Sequence, residues 1–277
     1  MAHFSLDSLL ECMNVAEVSP GVWSASNLDL AYYRIFGGQL LAQAVALGYA
    51  TSPGKTVKSL HAYFPREGTT NEPLEFVVET PHDGRSFSTR RISASQAGKV
   101  FFVADVQMHA ADESFENQDP APSFGKPDDH PARDMGMIPF ATRVVNGVDL
   151  SDRGSGPADF AFWVKVDDRE VGDNQMVHQG LIAHSTDLTI IGTALRPIEG
   201  ISEADSTQKI HTAVTSHSMW FHRDVNINDW CLVSQHSPIL ARGRAFGRGD
   251  VFDAAGKMVA SFAQESMVRP IAEPLKH

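Results

Sequence analysis

Two stretches of this chain, "AGKVFFVADVQM" (97–108) and "AGKMVASFAQES" (255–266), open on the same Ala-Gly-Lys turn and continue as alternating strands. An internal repeat constrains the fold more than any single motif, because both halves must solve the same packing problem. Further pairs follow. "SLHAYFPR" (59–66) parallels "SHSMWFHR" (216–223), and the apolar helix "FGGQLLAQAVALGYA" (36–50) parallels "MVHQGLIAHSTDLTI" (176–190). Each half reads as one helix followed by several strands.

In the first half, strands are expected over "TVKSLHAYFPR", "LEFVVETPHDG", "SFSTRRISASQ" and "KVFFVADVQMH". In the second half they are expected over "KIHTAVTSHSMWFHR", "WCLVSQHSPIL", "RGRAFGRGDVF" and "KMVASFAQESMV". Close spacing and polar or Gly-containing turns imply antiparallel pairing rather than βαβ units. A sheet of about five strands buries one face, and one long apolar helix can cover that face. One helix wrapped by one curved sheet is the hotdog arrangement. The fold expected is therefore α+β, a double hotdog of two antiparallel sheets, each wrapped around a central apolar helix. Its parts would be an N-terminal half over 1–108, a linker over 109–134, and a C-terminal half over 135–277. The linker carries four prolines and many acids.

At 42% hydrophobic residues the chain can build a sizeable core. Its net charge of −11 argues against a nucleic-acid or anionic-membrane partner but permits a local basic pocket. Cys12 and Cys231 form neither a metal motif nor a disulfide scaffold, which fits a reducing compartment. The N-terminal "MAHFSLDSLLECMNV" lacks signal-peptide regions. "GGQLLAQAVALGYA" is too short and too polar to span a bilayer, and "EPLKH" is no targeting tripeptide. A cytoplasmic location is expected. The histidines, including the pairs His178/His184 and His217/His222, lack zinc spacing, and HExxH and CxxC are missing, so no metal is expected.

Several polar residues stand out. Strict alternation would place Met258, Ala260, Phe262 and Gln264 on one strand face. A buried amide without partners costs about 1–3 kcal/mol, so Gln264 either has a partner or faces a cavity. Asp187 lies in the apolar run "GLIAHSTDLTII", where a carboxylate needs hydrogen bonds; "HSTDLT" also reads as a capped helix start. Gly37, Gly38 and Gly180 stand near the helix starts, where unpaired N–H groups could bind an oxyanion. Ser86 and Ser185 lack a nucleophile elbow. Arg90, Arg91, Arg242, Arg244 and Arg248 are cations that could meet phosphates or lie on solvated strand faces.

Six segments in order, "RIFGGQLLAQA", "HAYFPREG", "DGRSFSTRRI", "VHQGLIAHSTD", "HSMWFHR" and "MVASFAQES", resemble the type II acyl-CoA thioesterases. The resemblance spans roughly residues 5 to 270. It implies hydrolysis of fatty acyl-CoA to fatty acid and CoA by water attack, no cofactor, and a homodimer or higher homo-oligomer. It also implies a catalytic Asp, Thr or Ser, and Gln in the second half. The Asp matches Asp187 and the Gln matches Gln264. The hydroxyl slot falls on Val214, a departure from the family pattern, and the neighbouring acid slot falls on Ser216. Thr215 would point to the opposite face unless a β-bulge turns it round; Ser216 shares the face of Val214 and is a second candidate. The departure keeps a non-catalytic acyl-CoA binder as one rival reading. An enoyl-CoA hydratase, with a histidine such as His184 paired to Asp187, is another. No acid in "GGQLLAQAVALG" matches Asp187, which points to one site per chain.

Overall fold

A computed structural model of the chain describes residues 4–30, 33–113, 115–167 and 171–271; the C-terminal "EPLKH" and the first three residues lie outside them. The first half comprises α1 (Leu6–Cys12), β1 (Ala16–Ser19), β2 (Val22–Ala25), α2 (Gly37–Thr51), β3 (Thr56–Tyr63), β4 (Leu74–Asp83), β5 (Phe87–Gln96) and β6 (Lys99–His109). The second comprises β7 (Ala141–Val144), β8 (Asp159–Lys165), α3 (Gln175–Thr186), α4 (Ile190–Leu195), β9 (Ile210–Phe221), β10 (Cys231–Ala241), β11 (Arg244–Phe252) and β12 (Met258–Pro270).

The strands run in the order β1-β2-β4-β5-β6-β3-β9-β12-β11-β10-β8-β7. Read outward from the β3–β9 seam, the two sides correspond strand for strand, so the sequence repeat is a repeat of topology. Each side wraps one central helix, α2 or α3, which makes the double hotdog. The two curved sheets meet edge to edge at the seam, where Ser59 pairs with Trp220 and Tyr63 with Ser216. This pairing removes two exposed edges. Gly98 (φ 72°) and Gly256 (φ 79°) give the two Ala-Gly-Lys turns the left-handed backbone that tight hairpins need.

One hydrophobic core holds residues from both halves, among them Leu41, Phe102, Leu181 and Phe262. A bulge alters the expected facing of β12. Val251 pairs with Ala260 and Phe252 with Met258, so Val259 is the extra residue. Val259 and Ala260 both enter the main core, while Met258 packs on the other face against the cluster of Ala161, Trp163 and Phe252. Met258 therefore does not share the face of Phe262 and Gln264.

The segment between the halves is tied down. The Gln118 amide donates to the Gly256 carbonyl at 2.9 Å and accepts from Met258 N–H and Arg223, both at 3.0 Å. Phe124 packs against the outer cluster. Among the described residues, no helix is long and apolar enough to cross a membrane.

Candidate active site

The helix pair positions the site. A Cβ built on Gly38 would come 2.5 Å from the His184 carbonyl oxygen, and one on Gly180 would come 3.7 Å from that of Ala42. The helices therefore lie side by side and antiparallel, and the start of α2 meets the end of α3. Asp187 closes α3, still in the α region; it is not a cap at a helix start. No side chain caps α2, which follows Phe36 in extended conformation. A Cβ on Gly37 would stand 2.7 Å from Asp187 Oδ2, so only glycine leaves room for the carboxylate.

Asp187 is 3% exposed. Removal from water pushes its carboxyl up to about 7, and a hydrogen bond from the Gly38 backbone N–H opposes that rise. The C-terminal end of α3 adds a like partial charge, which the positive start of α2 counters. Asp187 Oδ1 has no hydrogen-bond partner among the described residues. A buried carboxylate poised near neutrality is suited to general-base work.

Asp187 and Gly37 line a cavity of about 940 Å³. Its walls are largely apolar, with Leu40, Phe64, Phe101, Met137, Leu150 and Phe160, and Arg34, Arg66 and Arg133 also line it. Thr215 reaches the wall through a bulge. Glu265 pairs with Ser216 and Ser266 with Val214, leaving Thr215 as the extra residue. Val214 and Thr215 both line the cavity, and Ser216 is not among the lining residues. The Thr215 hydroxyl donates to the Glu265 carbonyl at 3.0 Å.

Gln264 is 1% exposed and has partners, but not an edge backbone group. Its Oε1 lies 3.0 Å from His217 Nδ1, and its Nε2 donates to Ser266 Oγ at 3.0 Å. His217 Nδ1 lies 3.9 Å from Asp187 Oδ1. Gln264 thus reaches the neighbourhood of Asp187 through His217 and is not among the residues lining the cavity. In the sequence His217 figures only as a metal-ligand candidate that zinc spacing excludes. Its signal was the one that drew attention to Gln264, a polar residue in a buried row with Met219 and Phe221.

The other residues singled out in the sequence lie elsewhere. Gly180 sits inside α3 against Met13 and Ala42, away from the cavity, so its N–H groups take no part there. His184 is buried, and its Nε2 donates to the Met137 carbonyl at 2.7 Å. Ser185 donates to the Leu181 carbonyl at 2.8 Å. Neither Ser86 nor any of the five arginines named above lines the cavity. Arg90 is buried and donates to the Thr51 carbonyl at 2.6 Å, Arg91 pairs with Asp105 at 2.9 Å, and Arg244 pairs with Glu265 at 3.7 Å. Among the described residues, no group of three or more His, Cys, Asp or Glu is placed to hold a metal ion.

The chain is thus a double hotdog with a buried carboxylate under a helix start, open to a large apolar cavity. A family model described as acyl-CoA thioesterase matches residues 151–267, and one described as acyl-CoA thioesterase N-terminal domain matches 27–109. The chain is 27% identical to acyl-CoA thioesterase 2 of Haemophilus influenzae, over 95% of this chain and 98% of that one. It is 29% identical to acyl-coenzyme A thioesterase 8 of Homo sapiens, over 85% and 81% respectively. The crystal structure of an acyl-CoA thioesterase II from Mycobacterium marinum matches with a TM-score of 0.81 at 30% identity, covering 95% of this chain and 99% of that one. The chain belongs to the type II acyl-CoA thioesterase family.

Proposed function

We propose that this chain hydrolyses fatty acyl-CoA thioesters by direct attack of water, with Asp187 as general base. That it is an acyl-CoA thioester hydrolase follows from its family. The roles of individual residues are a reading of the geometry. One observation carries it: Asp187 is buried, its carboxyl is raised to about 7, and it faces an apolar cavity at the start of α2.

A water held at Asp187 gives its proton to the carboxylate as its oxygen attacks the thioester carbon. Charge developing on the carbonyl oxygen is received by the backbone N–H of Gly37 at the start of α2, while that of Gly38 holds the Asp187 carboxylate. When the tetrahedral intermediate collapses, the C–S bond breaks and the proton on Asp187 passes to the departing sulfur. The bulge brings Thr215 to the cavity wall beside Val214, and its hydroxyl oxygen, while donating to the Glu265 carbonyl, is free to accept a hydrogen bond from the water, the contact that Val214 cannot make. This favours turnover over binding alone. Gln264 orders the carboxylate end of the site. The apolar walls suit a fatty acyl chain, and of the cations on the wall among the described residues Arg66 is the one placed to meet a phosphate of CoA, since Arg34 pairs with Glu67 at 2.7 Å and Arg133 with Asp149 at 2.6 Å.

The same reading takes 1–108 and 135–277 as two hotdog units joined by 109–134. It also includes self-association into a homodimer or larger assembly and a cytoplasmic setting. Exposed Tyr63 and Trp220 beside the β3–β9 seam offer apolar surface for such association. Direct water attack is tested by pre-steady-state release of CoA with and without hydroxylamine. The expected result is no burst and no hydroxamate. A stoichiometric burst with hydroxamate formation would require an acyl-enzyme and overturn the mechanism.

A further inference from the structure

We propose that His217 is a positioning residue for the hydrolysis, its imidazole protonated at Nδ1 and fixing the Gln264 amide beside the Asp187 carboxylate. The inference rests on the hydrolytic reading above and adds to it a residue that does not touch the substrate.

His217 is fully buried on β9, directly opposite Gln264 on β12. Both ring nitrogens are engaged: Nδ1 lies 3.0 Å from Gln264 Oε1, and Nε2 lies 3.2 Å from Thr186 Oγ1. The ring stacks on Phe262, 5.9 Å between centroids and 7° from parallel. Held on three sides, it cannot swing into the cavity, and it is not among the lining residues. This separates it from a histidine that protonates a substrate. Thr186 immediately precedes Asp187, so one imidazole ties the end of α3 to the strand that carries Gln264. Burial holds the ring down at about 4, so it is neutral at physiological pH.

A neutral ring can bond here in two ways. In the first, Nδ1–H donates to Gln264 Oε1, Gln264 Nε2 donates to Ser266, and the Thr186 hydroxyl donates to Nε2. In the second, the Gln264 amide is turned over and donates to Nδ1. The ring N–H is then on Nε2 and points at Thr186, whose hydroxyl donates to the Ala183 carbonyl 3.0 Å away. Both satisfy the polar atoms, so hydrogen-bond counting does not choose between them. Asp187 does. Its Oδ1 lies 3.9 Å from Nδ1, too far for a hydrogen bond but close enough in a buried site for charge to matter. A carboxylate favours the N–H dipole over a lone pair at that distance. The ionised base therefore selects the first arrangement, and His217 passes that selection to Gln264 as one fixed amide orientation.

Two substitutions separate positioning from packing. His217→Asn keeps an amide N–H near the place of Nδ1, whereas His217→Gln extends its amide toward the place of Nε2 and loses the donor to Gln264. For acyl-CoA hydrolysis, His217→Gln is expected to lower kcat roughly 10- to 100-fold with KM changed less than about twofold, as losses of supporting hydrogen bonds do. His217→Asn should recover most of that loss. Equal losses in both variants, or an effect on KM alone, would overturn the proposal. A second measurement needs no variant: long-range 1H–15N correlation of the wild-type histidines above pH 7 reports the His217 tautomer. Nδ1–H is expected, and Nε2–H would overturn the proposal even if both variants failed to fold. Failure of the hydrolytic reading itself is distinguishable, because wild type would then release no thiol before any substitution, and the proposal would fall with it.

Discussion

Replacing Asp187 with asparagine should stabilise the protein at alkaline pH while disabling it. In the unfolded chain the carboxyl ionises near 3.8, and in the folded protein burial raises it to about 7. The gap is roughly three pH units, and each unit is about 1.36 kcal/mol, so the ionised carboxylate costs the folded state about 4 kcal/mol at full development. The sign follows from proton counting. Below the unfolded value both states are protonated and there is no penalty. Between the two values the native state holds a proton that the unfolded state has released, so stability falls as pH rises. Above about 7 the penalty is complete. Asparagine matches the shape, can still accept from the Gly38 N–H, and carries no charge at any pH. Its advantage over wild type should be near zero at about pH 4 and grow by about 1.4 kcal/mol per unit to a plateau above neutrality. A gain of that size is large beside total stabilities of about 5–15 kcal/mol. Urea unfolding of both proteins near pH 4, 6.5 and 8.5 measures it. A difference that does not change with pH, or a variant less stable than wild type at the highest pH, would refute the reasoning.

Gly37→Ala would bring a Cβ to 2.7 Å from Asp187 Oδ2 and displace the base; kcat for thiol release should fall by about tenfold or more, and unchanged kcat would contradict the packing described. Thr215→Val should lower kcat by about tenfold or more while Ser216→Ala stays within about twofold, because the bulge puts only the former on the cavity wall; the reverse order would return the hydroxyl role to Ser216. The kcat/KM profile should rise with pH through about 7 and then level, since the base acts only when ionised. A profile flat from pH 5 to 8 would remove Asp187 from that role.

Much of the fold was legible because alternation and turn residues coincide in eight of the strands. β4 (Leu74–Asp83) lies within "LEFVVETPHDG", and β6 (Lys99–His109) coincides with "KVFFVADVQMH". β8 escaped notice because "DFAFWVK" is buried on both faces, its outer side covered by Phe124 and its neighbours, so it shows no alternation. β1 was missed for the opposite reason, since all its residues are exposed. The register of β12 was misread at Met258 because a bulge inserts a residue without any local sequence signal. At the site, Asp187 and Gln264 were legible as polar residues in apolar rows. His217 was judged only as a metal ligand, and that spacing test discarded it. The cations that line the cavity, Arg34, Arg66 and Arg133, come from three separate segments brought together by the fold, and no sequence period marks them.

The most direct test of the central claim is steady-state thiol release from a series of acyl-CoAs by wild type and Asp187→Asn, with folding of both verified. Wild type should turn over, and the variant should lose about 10²-fold or more in kcat at pH 8, the scale expected when a general base is removed. A folded variant within about threefold of wild type would show that the water is activated elsewhere, and the site built around Asp187 would be wrong.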